Sequence, residues 1–486
     1  MSDLVQGFVE LWSPLASALT VLLSVLASAH VVLHKRDSRA AVAWVGFIWF
    51  VPVLGAAAYG VLGINRIRRK AAEQRAVYAP PTTTGETEAP AALAKEVSLP
   101  DGVGHLNTLA RLVDRVAARP LLEGNAVEPL LNGDEAYPSM LSAIDEAEQS
   151  VALSTYIFDN DRAGRLFQDA LERASARGAE VRVLIDTVGA RYSWPPILHE
   201  LRRRNIPTAA FGRTLLPWRW PYFNLRNHRK IMVVDGRVGF TGGINIREGH
   251  MLNDSPAHPV QDLHFRLEGP VVAHLMQTFA EDWGFTTGET LTGARWFPQL
   301  RQGGQVAARG INDGPDADFD RARLVYLGAL ACAQSTVRIV NPYFVPDQGL
   351  ISELMVTALR GVRVEIILPQ VNNLALVHWA ATAQLWQLLQ RGCRVYYSPP
   401  PFDHSKLMLV DDGWALIGSS NWDARSLRLN FEFDVECYDQ NLVAGLSALV
   451  ESRLEKSRRI TKAEVDGRPL PVRLRDGLAR LAAPYL

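Results

Sequence analysis

Two histidines, each two residues ahead of a lysine, are the residues in this chain best suited to chemistry. His228-x-Lys230-x4-Asp235-x6-Gly242-x-x-Asn245 recurs as His404-x-Lys406-x4-Asp411-x6-Gly418-x-x-Asn421, with every spacing kept. A duplicated pattern of this length points to one site assembled from two halves. The residue types point to covalent chemistry at a phosphate. A phosphodiester is already anionic, so a nucleophile approaches it against repulsion. Lys230 and Lys406 would neutralise the phosphoryl oxygens, and Asn245 and Asn421 would add neutral donors. One imidazole attacks phosphorus; the other protonates the leaving alkoxide and then deprotonates the incoming alcohol. The lysines supply the positive charge, so neither a metal nor a cofactor is expected.

A nucleophilic histidine needs its second ring nitrogen held by an acceptor, which fixes the tautomer. Asp262 in Gln261-Asp262-Leu263-His264 and Glu432 in Asn430-Phe431-Glu432-Phe433 each place a carboxylate in a largely apolar strand after a motif. Asp235 and Asp411 are counted with the catalytic candidates as motif members, although an Asp ahead of a hairpin turn also serves the turn itself. The elements that must carry these residues are hairpins. Ile231–Val234 and Leu407–Val410 read as strands, Asp235-Gly236 and Asp412-Gly413 as turns, and Gly239–Thr241 and Ala415–Ile417 as return strands. His and Lys, two apart at a strand start, then project to one side. Gly242 and Gly418 would let backbone amides approach an anion.

Around the motifs, strand and helix signals alternate. Val151–Phe158, a helix over Arg165–Arg177 and Val181–Ile185 are repeated in order by Val337–Val340, a helix over Leu350–Leu359 and Val362–Leu368. This predicts an α/β fold with an internal duplication. One half spans 125–290 and the other 321–486, with 291–320 as their connection. Leu442–Arg458 reads as an amphipathic helix closing the second half.

The first 70 residues read as a membrane hairpin. Leu11–Leu33 and Ala40–Ile64 lack charged residues, and each is long enough to span a hydrocarbon core of about 30 Å. Ala27-Ser28-Ala29 has the form of a cleavage site, but Asp3 and Glu10 give the start the wrong charge for a signal peptide. Pro52, beside Gly46 and Gly55, allows a kink or a re-entrant segment. Lys and Arg number none before Leu11, three between the segments and four just after them. Two spans would therefore favour a cytoplasmic catalytic part only slightly. Residues 71–124 read as linker and connecting segment, beginning with the proline-rich Pro80–Gly85 stretch. Lys plus Arg equals Asp plus Glu at 51 each, which argues against a nucleic-acid partner. Cys332, Cys393 and Cys437 are widely spaced and read as free thiols.

These residues resemble the phospholipase D superfamily, marked by a duplicated His-x-Lys-x4-Asp motif, and within it the bacterial cardiolipin synthases. Lys35-Arg36, Ala43-Trp44, Pro52–Gly55, Asn227–Lys230, Gly242–Asn245, Asp262–His264 with Glu268–Pro270, Tyr343–Pro346 and Asn430–Glu432 carry the resemblance. It implies two tandem phospholipase D-like domains, each a mixed sheet flanked by helices, behind an N-terminal helical hairpin in the bacterial inner membrane, as a multi-pass protein. It implies that His228 becomes phosphatidylated, that His404 is the acid and base, and that Asp262 supports His228 while Glu432 supports His404. The implied reaction joins two phosphatidylglycerols into cardiolipin and glycerol. Hydrolysis, or transfer to another alcohol, is the alternative on the same covalent step. A nuclease is disfavoured by the hairpin and the neutral charge, and an inactive scaffold by the intact motifs.

Some positions depart from the family pattern. Asp403 precedes His404 and is expected to raise its pKa. Ser405 and Trp422 replace commoner residues, and Asn372-Asn373 stands for Ser-Asp. Leu215–Phe223, mixing tryptophan, tyrosine and arginine, reads as a lip that enters the headgroup region.

Overall fold

The computed structural model describes residues 2–35, 38–63, 99, 102–212, 225–314 and 320–483. The Pro80–Gly85 linker and the Leu215–Phe223 lip lie outside the described residues. Two compact units are distinguished, an N-terminal one running to Lys70 and a larger one holding 71–213 and 224–486.

In the N-terminal unit, α1 (Ser2–His34) contains a stretch, Ala16–His34, apolar and long enough to cross a bilayer, and it is the one such helix among the described residues. The second expected span does not form a continuous helix. It divides into α2 (Ser38–Phe50), α3 (Pro52–Ala58) and a π-helical turn over Tyr59–Gly63. Pro52 cannot donate to the helical ladder, so the break falls at Val51. At 13 residues, α2 is about 20 Å long, short of a span. The chain then doubles back. In a straight helix Trp44 and Tyr59 would stand about 22 Å apart, yet their rings lie 5.3 Å apart. Gly55 permits the fold, since a Cβ there would sit 2.6 Å from the Phe47 carbonyl oxygen. Tyr59 also meets His30 Nδ1 at 2.8 Å, and Trp49 donates to Ser28 Oγ at 3.1 Å, so both arms pack on α1.

The larger unit is built on one mixed sheet. The first half supplies β1 (Leu122–Leu131), β2 (Ser150–Thr155), β3 (Glu180–Asp186), β4 (Thr208–Phe211), β5 (Arg226–Asn227), β6 (Ile231–Val234), β7 (Val238–Gly242), β8 (Val260–Gln261) and β9 (Leu263–Glu268). Next comes β10 (Val306–Asp313). The second half supplies β11 (Thr336–Val340), β12 (Phe344–Val345), β13 (Arg363–Pro369), β14 (Arg394–Ser398), β15 (Phe402–Asp403), β16 (Leu407–Val410), β17 (Trp414–Gly418), β18 (Trp422–Asp423), β19 (Asn430–Tyr438) and β20 (Arg458–Ile460). The first half runs β9-β7-β6-β2-β3-β4 across the sheet, and the second repeats this as β19-β17-β16-β11-β13-β14. Antiparallel β1 and β10 join the two runs, so both halves share one sheet.

Two stretches expected to connect are integral to the fold. The 291–320 connection contains β10, buried along its whole length. The 71–124 stretch contains a helix, Asn107–Ala117, whose Leu109, Val113 and Ala117 pack with Val325, Tyr326 and Ala329 of the second half. Their helical spacing supplies the apolar face that the second half covers. Buried Arg309 on β10 ties this helix to β19, pairing with Asp114 and Glu436. The helix expected over Leu442–Arg458 spans Gln440–Lys456. The cysteines are free, with Cys393 and Cys437 buried.

Candidate active site

The two motifs meet where the halves exchange short strands. β5 runs parallel to the start of β19, with Arg226 opposite Asn430 and Asn227 opposite Phe431. β15 runs parallel to β8, with Phe402 opposite Val260 and Asp403 opposite Gln261. The next backbone amide in each case closes the exchange. His228 N–H donates to the Phe431 carbonyl at 2.9 Å, and His404 N–H to the Gln261 carbonyl at 2.7 Å. Each histidine therefore enters beside the carboxylate strand of the opposite half.

The support is accordingly crossed. His228 Nδ1 lies 3.0 Å from Glu432 Oε2, and His404 Nδ1 lies 2.8 Å from Asp262 Oδ2. This corrects the expected pairing of Asp262 with His228 and of Glu432 with His404. Glu432 is fully buried yet well supplied, since Ser419 Oγ, Ser426 Oγ and Asn430 Nδ2 all donate to it. Burial works to raise its pKa, but His228, Lys230 and the Ser419 hydroxyl outweigh that and bring it down to about 2. Asp262 is likewise driven well below the usual carboxylate range, His404 and Lys406 overcoming burial. Both carboxylates are thus ionised, so each histidine carries its proton on Nδ1 and presents Nε2 as a lone pair.

The lysines differ in what they touch. Lys406 Nζ lies 3.0 Å from His404 Nε2. Both ammonium groups donate to the carbonyl of their own motif histidine, Lys406 to His404 and Lys230 to His228 at 2.6 Å, and Lys230 also stands over the Tyr156 ring. Burial brings the Lys230 pKa down to about 7 and that of Lys406 to about 8, with Glu432 and Asp262 opposing. Burial also lowers both histidines, His404 to about 3 with Lys406 as the next cause. A sign for activity follows. As pH rises through 7 to 8 the empty site loses ammonium charge, so kcat/KM is expected to fall on that side. A bound phosphodiester raises both lysine pKa values, so the kcat limb is expected at higher pH. A profile of kcat/KM that stays level from pH 7 to 9.5 would contradict the assignment.

Asn245 and Asn421 are buried near the motif ends. Asn245 Oδ1 accepts from Ile157 N–H at 3.1 Å, and Asn421 N–H donates to Ser426 Oγ at 2.8 Å. Asp235 and Asp411 are not brought to the histidines. Each sits at positive φ in the turn at the far end of its strand and caps the backbone entering the neighbouring strand. Asp235 accepts from the amides of Glu148, Gln149 and Ser150. Asp411 accepts from those of Gln334, Ser335 and Thr336 and from His105 Nε2 at 2.7 Å. Their place among the catalytic candidates is therefore corrected to a fold-holding one. Asp411→Asn turns one oxygen into a donor facing donors, and is expected to cost on the order of 1–3 kcal/mol of stability. Turnover per folded molecule should stay within about twofold, read by thermal unfolding beside active-site titration.

The motif glycines also serve the sheet. A Cβ on Gly242 would sit 2.6 Å from the Leu263 carbonyl oxygen, and one on Gly418 would sit 2.2 Å from Asp434 Oδ1. Nor does Asp403 raise the His404 pKa. Its carboxylate pairs with buried Arg453 at 3.1 Å and accepts from Ser405 N–H at 3.0 Å. The first half solves the same position with Asn227, Arg229 and Asp282, joined by hydrogen bonds of 3.0 Å and 2.5 Å to Asp282. Trp422 stacks between Tyr326 and Phe344 in the core. Asn373 accepts from the Tyr343 hydroxyl at 2.8 Å.

Two tyrosines stand at the histidines without having been singled out for the site. Tyr156 tilts against His228 with ring centres 5.1 Å apart, and Tyr343 meets His404 edge-on at 6.0 Å. Their signal was the matched strand ends, Thr155-Tyr156-Ile157-Phe158 and Pro342-Tyr343-Phe344-Val345.

Comparison with known proteins places the chain in a family. The family described as cardiolipin synthase, phospholipase D-like domain matches residues 140–283 and 326–454. A phospholipase D–nuclease N-terminal family matches residues 22–63. A cardiolipin synthase of Geobacillus kaustophilus is 30% identical, covering 99% of this chain and 96% of that protein. The major cardiolipin synthase of Bacillus subtilis is 30% identical, covering 98% and 99%. Among solved structures, a phosphatidylserine synthase of Haemophilus influenzae shares the fold, with a TM-score of 0.62, 16% identity, and coverage of 78% of this chain and 100% of that one. The chain belongs to the cardiolipin synthase family of phospholipase D-like proteins.

Proposed function

We propose that the chain joins two phosphatidylglycerols into cardiolipin and glycerol through a phosphatidyl-histidine on His228. The observation that carries this reading is the crossed pair of histidines, each with Nδ1 on an ionised carboxylate, which leaves Nε2 as the ring nitrogen for the chemistry. His228 Nε2 attacks phosphorus, the P–O bond to glycerol breaks, and His404 protonates the departing oxygen. The terminal hydroxyl of the second lipid then gives its proton to His404 and attacks the P–N bond, restoring His228. One phosphodiester replaces another, so no nucleotide is consumed. Lys230, Lys406 and the amide nitrogens of Asn245 and Asn421 are the donors to the phosphoryl oxygens. Burial is the main cause that holds His404 neutral in the empty site; a bound anionic phosphate offsets the second cause, the Lys406 charge, and so favours uptake of a proton at Nε2 when substrate is present. The different contacts of the two lysines support unequal roles for the two histidines, since Lys406 alone touches a ring nitrogen.

The catalytic part faces the cytoplasm of a bacterial cell whose inner membrane α1 crosses once. The doubling-back of α2 and α3 supports this orientation. A re-entrant pair returns the chain to the side where α1 ended, so Lys35 and Arg39 lie on the side of the catalytic part, and the stretch before Leu11 carries no Lys or Arg. The positive-inside rule favours that side as the cytoplasmic one.

The test is purified protein in phosphatidylglycerol vesicles, with glycerol and cardiolipin measured together. Equal yields of the two are expected. Phosphatidic acid without cardiolipin would replace this reading with hydrolysis.

A further inference from the structure

The last helix of the chain, Leu470–Leu481, presents an unusual surface. Leu470, Leu474, Leu478 and Leu481 are 66, 59, 68 and 71% exposed. At 100° per residue they fall within an arc of about 80°. Arg475 borders this stripe on one edge, and Arg473 and Arg480 border it on the other. The opposite face is the one that holds the helix to the protein. Ala479 packs with Val345, Val377, Ala380 and Ala381, and buried Asp476 pairs with Arg468 and Arg475. The Arg475 guanidinium also lies over Trp379 at 4.3 Å. The leucines are thus held outward by a well-anchored helix.

We propose that this helix is an interfacial foot that lies on an anionic phospholipid surface, its leucines entering the acyl boundary and Arg473 and Arg480 meeting headgroup phosphates. An apolar stripe edged by cations is the arrangement such a surface selects. A second copy of this chain fits less well, because a two-fold contact through the stripe would set arginine edges against each other. Its place in the fold gives the docking a purpose. The cluster beneath Ala479 includes Tyr343, which meets His404 edge-on at 6.0 Å. The foot and the catalytic histidine are separated by little more than one packed layer, so seating the helix turns the site toward its lipid. The proposal holds whether water or an alcohol resolves the intermediate.

The experiment uses the full chain with Cys332→Ser and Leu474→Cys, carrying an environment-sensitive fluorophore at position 474. It is reconstituted into vesicles of phosphatidylcholine with or without phosphatidylglycerol. A blue shift, and quenching by lipids with nitroxides on their acyl chains, are expected with phosphatidylglycerol and should weaken at high salt. Emission that stays aqueous overturns the proposal, and so does a shift that follows protein density and ignores lipid charge, which would mean a second copy. In parallel, Leu474→Glu with Leu478→Glu is expected to lose roughly tenfold turnover on vesicles. Turnover on monomeric short-chain phosphatidylglycerol should be kept. Equal loss on both substrates, or no loss on either, overturns it.

Discussion

Replacing His228 with alanine is expected to lower cardiolipin formation by about 10⁴-fold or more, since residues that act as one catalytic unit fail together. His404→Ala should cost a similar factor with the natural substrate, so steady-state rates alone do not separate the two roles. A phosphodiester with a nitrophenol leaving group does, because nitrophenolate departs without a proton. With that substrate His404→Ala is expected to release one equivalent of nitrophenol quickly and then stall, and intact-protein mass spectrometry should find the phosphatidyl adduct. His228→Ala should give neither burst nor adduct. An adduct on His228→Ala would reverse the two roles.

Glu432→Gln should affect the chemistry of His228 from the opposite half of the chain. Its amide cannot replace the ionised acceptor that fixes the Nδ1–H tautomer, and the loss is expected to be about 10³–10⁴-fold. The crossed geometry makes this phenotype specific. Glu432→Gln should slow the burst itself even with nitrophenol leaving, whereas Asp262→Asn should keep the burst and slow its resolution, because Asp262 holds His404. Pairing within each half would exchange these two results. Rapid-quench measurement of both variants on the same substrate decides between them.

Much of this site was legible in the sequence because it is local. The spacing of His228 and Lys230 at a strand start, and the turn after Ile231–Val234, follow from strand and hairpin geometry, and the second copy repeats both. The crossing of Asp262 and Glu432 is not local. It depends on β5 and β15 each docking on the other half, and a repeat read along the chain suggests the opposite pairing. Asp235 and Asp411 mislead for a related reason. They keep motif spacing because the turn needs a side chain that accepts three successive amides, and spacing does not tell that need from catalysis.

Elsewhere the gaps came from context. The Asn107–Ala117 helix has a short apolar face that makes sense only against the second half, so its stretch reads as linker. The second membrane segment is apolar enough to span by composition, but Pro52 and Gly55 fold it onto itself. Asp403 looks like a perturbing charge until Arg453, about 50 residues later, is placed beside it. The leucines of the last helix stand out only once their exposure is known.

The exchange of strands between halves also governs when during synthesis the enzyme becomes dangerous. Glu432 lies 204 residues beyond His228. A ribosome therefore completes the whole first half, His228 included, while the carboxylate that holds its Nδ1 has yet to be translated. Truncated chains, stalled chains and proteolytic fragments carry an intact motif but an unprepared imidazole. Under the proposed reaction, unfinished copies are thereby kept from cutting lipid.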